Sequence, residues 1–482
     1  DWLLEYAEAV QLELGNLPPC PKTIQEATAA DNADKEKWLV AIKKELKNFG
    51  DTKSFEPAKA EGRGMKMKWV FKVMWDNEFK IKYKARLVCC GYSQIYGVDY
   101  KDTYSPTPSV LALNLCLHIA AHKKLEVATF DVKGAFLEAY NDFENYAWLP
   151  HGTVDKPTRV KLVKAQYGEK QAPKLWNDLL NKLLTQLNFV RCPVAPCLYA
   201  RITEDEYTLC AVHVDDGFVA SNKDGIFKEF IEVFQKEIRE VNFSRTFKKF
   251  TGMEVHYDKE AGKIRLGVTV HIEGLRGLGH GKEHERLPMS TNLNLRLTEP
   301  NPENDTLLKV TGKIRYLVDR VRWDGLFATG ELSSGNAKHP SDEAVAALKK
   351  FIDYLIGTKE MGLTLGGGDL LKFFAFCDAA HITSGKAKSR LAAAIFGGFD
   401  CGALLALSKT ANNIAASSTH SEVMAVDLVV RVIELLLQIL EFLGLKQEEP
   451  IPIFVDNKSA ILLCESLKTT HITSSINMRR QY

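Results

Sequence analysis

Two apolar runs, residues 207–212 and 218–220, flank His213-Val214-Asp215-Asp216-Gly217 and read as the strands of a short hairpin with Asp216-Gly217 at its turn. Upstream, residues 111–121 are apolar and helix-like and 125–130 strand-like, so Asp131 falls at the end of a strand. The spacing of Trp38, Ile42, Leu46 and Phe49 predicts a helix over 24–49 after a linker-like Leu17-Pro-Pro-Cys-Pro21, and the stretch from there to about 105 is strand-rich. Further on, 227–241 predicts a helix, 247–270 strands joined by the turn Lys259-Glu-Ala-Gly262, 274–286 a loop, and 307–365 a largely helical segment. The last portion changes rhythm. An apolar strand over 371–377 ends at Asp378, strands follow at 391–396 and 403–407, and Thr419 with Glu422 reads as a capping box opening a helix to about 445. Apolar residues 451–455 then deliver Asp456 to the start of a final helix.

Asp215 and Asp216 are adjacent like charges, and a bound cation most simply offsets their repulsion. A divalent ion shared with a third carboxylate, Asp131, is what two-metal phosphoryl transfer needs. Alone, a Val-Asp-Asp-Gly segment is a hairpin and an aspartate at a strand end is a cap or turn former. Together they favour the catalytic reading. For Glu422, helix capping is the plain alternative, as an additional role.

At 482 residues the chain has room for several domains, and its 45% hydrophobic content is that of a soluble globular protein. A net charge of only +2, from 63 basic and 61 acidic residues, gives no support to nucleic-acid binding. Residues 61–101 change that picture. Nine Lys/Arg against four Asp/Glu, interleaved with Trp69, Phe71, Trp75, Tyr83 and Tyr92, suit phosphates and stacked bases; a solvated strand face is the alternative. Ten scattered cysteines without a Cys-x-x-Cys imply neither a disulfide framework nor a zinc site and fit a reducing compartment. The longest apolar run, 433–445, carries Glu434, Gln438 and Glu441 and predicts a core helix, with no membrane association.

One order of segments carries a resemblance. It runs Lys68-Trp-Val-Phe-Lys-Val73, Tyr83-Lys-Ala-Arg-Leu-Val88, Gly91-Tyr-Ser-Gln94, Tyr96-Gly-Val-Asp-Tyr100, Tyr104-Ser-Pro106 and Asp131-Val-Lys-Gly-Ala-Phe-Leu137. It continues with Tyr167-Gly-Glu-Lys-Gln-Ala-Pro173 and Trp176, Val214-Asp-Asp216, Tyr354-Leu-Ile-Gly-Thr358, Ser417-Ser-Thr419 with Glu422, and Asp456-Asn-Lys-Ser-Ala-Ile461. In these, from about residue 25 to the end, the chain resembles the reverse transcriptase and ribonuclease H portion of a copia-type LTR-retrotransposon polyprotein.

The resemblance implies an α+β fold: a right-hand polymerase (fingers, palm, thumb), then a connection and a ribonuclease H-like α/β domain. Expected boundaries are an N-terminal segment 1–24, reverse transcriptase 25–290, a helical connection 291–370, and a C-terminally truncated ribonuclease H-like domain 371–482. The start at Asp1 fits a piece of a longer polyprotein. The implied activity is RNA-directed DNA synthesis with a pair of Mg²⁺ ions (Mn²⁺ as an alternative) per active site, held by Asp131, Asp215 and Asp216, and by Asp378, Glu422 and Asp456 for RNA cleavage. Arg86 and Lys84 would meet the triphosphate, Phe136 would crowd the sugar 2′ position, and Gln171, within 167–173, would help shape the nucleotide and template pocket. Strand-surface cations and a palm-core phenylalanine are the respective alternatives. Implied partners are an RNA template, a DNA primer or RNA–DNA hybrid, dNTPs, a tRNA primer and the integrase of the same polyprotein. The implied location is cytoplasmic virus-like particles, with nuclear delivery of the product.

The chain departs from the family at His213 (usually tyrosine), Glu169 (usually leucine), Cys90 (usually lysine) and His471-Ile-Thr473 (usually His-Ile-Asp), and the last ribonuclease H carboxylate normally lies beyond Tyr482. Divergence in an active element and decay to a catalytically inactive, retroelement-derived nucleic-acid-binding protein both produce such changes. All six carboxylates are intact, which argues against simple decay.

Overall fold

The computed structural model describes residues 18–465 apart from 76–80, 155, 157, 283, 291–294, 296–297, 305–306, 335–338 and 382–387. Expectations placed on residues 1–17, the Trp75 side chain and 471–473 lie outside the described residues. In chain order the strands are Phe55–Pro57 (β1), Met65–Trp75 (β2), Ile81–Cys89 (β3), Glu126–Val132 (β4), Tyr140–Trp148 (β5), Arg159–Lys164 (β6), Val190–Arg191 (β7), Leu198–Ile202 (β8), Tyr207–His213 (β9), Asp216–Ser221 (β10), Val241–Ser244 (β11), Lys249–Phe250 (β12), Met253–Asp258 (β13), Lys263–Gly267 (β14), Leu363–Gly366 (β15), Phe374–Ala380 (β16), Arg390–Phe396 (β17), Ala403–Thr410 (β18) and Ile453–Phe454 (β19). The α-helices are Ile24–Thr28 (α1), Lys35–Asp51 (α2), Val110–His122 (α3), Ala172–Gln186 (α4), Gly225–Glu237 (α5), Thr269–Glu273 (α6), Leu308–Arg320 (α7), Leu326–Ser334 (α8), Asp342–Gly357 (α9), Ser418–Phe442 (α10) and Lys458–Glu465 (α11).

The first sheet, in the order β1-β6-β5-β2-β3, is covered by α2 through Trp38, Ile42 and Phe49. The single helix expected over 24–49 is two. Asn32 Nδ2 donates to the Glu26 carbonyl and its Oδ1 accepts from the Asp34 amide, an Asx turn that competes with helical bonding and separates α1 from α2.

The second sheet, β11-β4-β10-β9-β8-β7, is apolar on both faces. Phe130, Val132, Cys210, Val212 and Val219 pack against α4 and α5, where Phe230 and Phe234 stack 4.1 Å apart. Val127, Leu209, Ala211, Phe218 and Ala220 face the opposite way, into the large core that holds α3. A third sheet, β12-β13-β14-β15, follows. Its last strand comes from residues 363–366, so the segment expected to be helical over 307–365 is helical through α7, α8 and α9 and then ends in a strand.

The fourth sheet has the order β18-β17-β16-β19, antiparallel except that β19 runs parallel to β16, with α10 packed across it. This is the ribonuclease H-like arrangement. The capping box expected at Thr419 and Glu422 is absent: Ser417 caps α10 by accepting the His420 amide at 3.1 Å. Glu422 lies within the helix and is freed from the capping role. No helix among the described residues is long and apolar enough to cross a membrane.

Helix α3 is apolar nearly all round because it is enclosed on every side. It lies between the second sheet and the fourth. Its Asn114 Nδ2 donates to the Leu404 carbonyl (3.0 Å), and His118 Nδ1 accepts the Gly366 amide (3.2 Å). One continuous apolar cluster therefore joins the polymerase-like and ribonuclease H-like parts. Asn114→Leu keeps the branched shape but removes the buried link and leaves the Leu404 carbonyl without it. We expect a loss of about 1–3 kcal/mol in denaturant unfolding; an unchanged midpoint would mean the bond contributes nothing across this interface.

Candidate active site

Asp216 on β10 lies opposite Asp131 on β4 and, across its other edge, opposite His213 on β9. The hairpin turn is therefore Val214-Asp215, not Asp216-Gly217 as the pattern suggests. Val214 has φ +61°, the positive value that a type II′ turn needs at its first central position. For a β-branched residue this is strained, at a cost of roughly 1–3 kcal/mol. Two bonds hold it: Trp176 Nε1 donates to the Val214 carbonyl at 2.6 Å, and the Val132 amide to the Asp215 carbonyl at 2.9 Å. Gly217 serves packing instead, since a Cβ there would meet Phe130 Cζ at 2.4 Å and the Ala211 carbonyl oxygen at 2.9 Å.

Side chains alternate across a sheet, so Asp131 shares its face with Thr129 and Val127, and Asp216 with Phe218 and Ala220. Both carboxylates project from the face that carries the large core, with Asp215 at the adjoining turn. Burial pushes Asp216 up to about 7, the Thr251 amide (2.8 Å from Oδ2) opposes the rise, and the charges of Asp131 and Asp215 add to it. Burial raises Asp215 too; Asp131 reinforces this and Arg86 counters it. Asp215 and Asp216, raised by burial and by the neighbouring carboxylates, form with Asp131 a donor set that a divalent cation would relieve.

The first sheet brings positive charge toward this face. The Arg86 guanidinium stacks on the Tyr167 ring at 4.2 Å, and the far side of the arrangement is Phe136, its ring 5.2 Å from that of Tyr167. Lys84 is half-buried; burial lowers its pKa, the neighbouring Lys82, Arg86 and Lys72 lower it further, and Asp131 draws it back up. Arg86 thus lies within electrostatic reach of Asp215 and Lys84 of Asp131, with Phe136 behind Tyr167. Gln171 does not join them. Its side chain is fully buried, with Oε1 accepting from Gln94 Nε2 (2.9 Å) and Nε2 donating to Glu169 and Asn141, so it presents nothing to a substrate. Glu169 is likewise buried, accepting from Asn141, Asn145, Gln171 and the Gln166 amide. The pair is a structural hub beneath the pocket.

His213 is half-buried, and burial first, then Arg320, push its pKa down. Arg320 Nη2 lies 3.4 Å from His213 Nε2; an arginine can only donate, so Nε2 is the accepting nitrogen of a neutral ring. Sequence reasoning missed this arginine, as it missed Thr251 and Tyr316. Thr251-Gly252 carries a turn signal, but nothing local ties it, or residues on α7, to aspartates far upstream.

In the fourth sheet, Asp378 on β16, Glu422 on α10 and Asp456 after β19 converge. Among the described residues they are the one acidic or metal-ligating trio whose ligand atoms all lie within 4.8 Å of one another. Glu422 Oε2 is buried without a hydrogen-bond partner, and burial, then the charge of Asp378, raises the Glu422 pKa. An orphaned carboxylate oxygen facing two other carboxylates fits a cation. Trp323, Phe327, Phe376 and Phe454 wall an adjoining open cavity of about 640 Å³.

Residues 56–275 match the family described as reverse transcriptase (RNA-dependent DNA polymerase). The chain is similar to the retrovirus-related Pol polyprotein from transposon TNT 1-94 of Nicotiana tabacum, 28% identical over 480 residues that cover 95% of this chain and 35% of that protein. It is also similar to the corresponding polyprotein from transposon RE1 of Arabidopsis thaliana, 26% identical over 416 residues, 82% of this chain and 27% of that one. The chain thus spans about a third or less of the length of these curated relatives. Among solved structures, a foamy viral protease-reverse transcriptase in complex with double-stranded DNA matches with TM-score 0.50 and 10% identity, covering 97% of this chain and 71% of that one, a likeness of fold.

The raised Asp216 pKa makes a stability prediction. An unfolded chain releases this proton near 3.8 and the folded chain holds it to about 7, so the metal-free fold loses stability as pH rises across that interval. Thermal melting should fall between about pH 5 and about pH 8, and Mg²⁺ should restore more at the higher pH. Asp216→Asn should flatten the slope; an unaltered slope would show that Asp216 is not its source.

Proposed function

We propose that this chain, a copia-type retrotransposon Pol polyprotein sequence with its reverse transcriptase region at residues 56–275, is an RNA-directed DNA polymerase with an attached ribonuclease H. The observation that carries the reading is the register that sets Asp131 against Asp216 on one sheet face, with Asp215 at the adjoining turn. Asp131, Asp215 and Asp216 bind the cations of nucleotidyl transfer, and Asp378, Glu422 and Asp456 those of RNA cleavage. Mg²⁺, or Mn²⁺ in its place, supplies charge neutralisation at phosphate oxygens and a lowered pKa for the attacking hydroxyl or water.

The other groups orient the substrate. Arg86 is held flat on Tyr167, which fixes its planar donors toward the site, and the guanidinium meets the incoming triphosphate. Lys84 adds charge to the same surface. Phe136, braced against Tyr167, stands where a ribose 2′-hydroxyl would need room, and so favours dNTPs. The template is RNA and the product strand grows on a DNA primer. Selectivity of the second centre for the RNA of a hybrid rests on A-form geometry and 2′-hydroxyls. A tRNA primer, the integrase of the same polyprotein, and synthesis in cytoplasmic particles with nuclear delivery of the DNA complete the proposal.

Primer extension on poly(rA)·oligo(dT) with Mg²⁺ is the deciding measurement. No incorporation by a stably folded wild type would leave the chain as an inactive nucleic-acid-binding protein. Asp215→Asn should abolish synthesis while hybrid binding persists, and loss of both would point to a folding role. Phe136→Ala should admit ribonucleotides; unchanged sugar selectivity refutes the gate. Glu422→Gln should stop RNA cleavage alone, and an equal loss of synthesis would contradict two separate centres.

A further inference from the structure

We propose that α7, which lies outside the matched region 56–275, acts as a clamp on the aspartate hairpin, with Tyr316 and Arg320 as positioning residues for the polymerase centre. The inference rests on the polymerase reading above and extends it to a helix of the segment expected as a connection.

Two contacts straddle the Val214-Asp215 turn. On the β10 side, the Thr251 amide donates to Asp216 Oδ2 at 2.8 Å, fixing one carboxylate oxygen. Thr251 does so in a left-handed conformation, φ +46°, which a β-branched residue resists. Tyr316 holds it there: its hydroxyl donates to the Thr251 carbonyl. The same hydroxyl fills the space beside Gly252, where a Cβ would lie 2.7 Å from it. On the β9 side, Arg320 reaches His213, the residue paired with Asp216. Tyr316 and Arg320 are four residues apart, hence on one face of α7.

The helix is a firm base for this grip. Its Ile314, Leu317 and Val318 are buried in the large core that also holds α3 and the fourth sheet. The strained Thr251 turn is thereby braced against an element anchored elsewhere. Packing alone explains the apolar face of α7. It does not explain why a hydroxyl and a guanidinium from one helix face reach, the first through Thr251 and the second directly, the two residues that flank the same turn.

The test measures Mn²⁺ binding by EPR without nucleic acid, in a Glu422→Gln background that silences the second centre, beside steady-state primer extension and thermal melting. Tyr316→Phe and, from the other side of the contact, Gly252→Ala should each weaken Mn²⁺ binding about tenfold and lower kcat by a similar factor, with KM for dNTP unchanged. Arg320→Met should act in the same direction. Unchanged Mn²⁺ affinity and kcat in Tyr316→Phe overturn the clamp. Should Tyr316→Phe and Gly252→Ala melt far below wild type, Arg320→Met decides, and wild-type Mn²⁺ affinity there overturns it. A wild type that binds Mn²⁺ yet extends no primer removes the polymerase reading, and the Mn²⁺ affinities alone then uphold or overturn the clamp.

Discussion

The opposition of Asp131 and Asp216 across neighbouring strands is the constraint that the surrounding structure exists to maintain. Like charges directly opposite one another destabilise a sheet, and burial on one side makes the repulsion worse. What holds them is register. β4 lies between β10 and β11, and both faces of its sheet are apolar: Phe130 and Val132 lock one, Val127 and Phe218 the other. A slip of one residue would turn Asp131 to the opposite face and drive Phe130 out of its tilted ring contact with Phe230. The aromatic core thus stabilises a charge arrangement that local electrostatics oppose.

Around that pair the protein distributes partners unevenly. Arg86 approaches Asp215 from the first sheet but is occupied on one face by the Tyr167 ring, so it lowers the aspartate's cost without closing a direct ion pair. His213 adds no positive charge, because burial and Arg320 keep it neutral. A protonated imidazole beside the aspartates would compete with a cation; burial, and then the neighbouring arginine, disfavour it. Against the tyrosine that the resemblance leads one to expect, His213 therefore differs in shape and hydrogen bonding more than in charge.

Much of this was legible in the chain. The apolar runs located β4, β9, β10, α3, β16–β18 and α10, because each buries a face whose period survives in the sequence. The Asp-Asp pair and Asp131 were visible as charges at the ends of such runs. What failed was local in appearance and tertiary in cause. Gly217 looked like a turn glycine, yet Phe130 requires it, and the turn falls on Val214, whose strain only Trp176 and Val132 make tolerable. Gln171 sits in a motif that reads as a substrate pocket, but the buried Glu169 and Gln94 claim its amide. Thr419 and Glu422 have capping-box spacing, and the helix starts earlier, at the serine before them. Pattern carries periodicity; it does not carry which distant side chain a polar group will meet.

The two acidic centres handle one physical problem in different ways. In the fourth sheet, Asp378, Glu422 and Asp456 crowd together, and Glu422 keeps a buried oxygen that no protein donor satisfies. The Ala379 amide relieves Glu422 in part, and a cation would compensate the orphaned oxygen. In the second sheet a backbone amide, that of Thr251, takes an oxygen of Asp216, and Asn242 reaches Asp131 at 3.4 Å. Protein donors there do part of a cation's work, and the three carboxylates stay further apart. A site that shares its ligands with the fold binds a cation less tightly but holds its geometry without one. If this site serves nucleotidyl transfer as proposed, it takes up a triphosphate together with its metal on every cycle, and a standing geometry then matters more than standing occupancy.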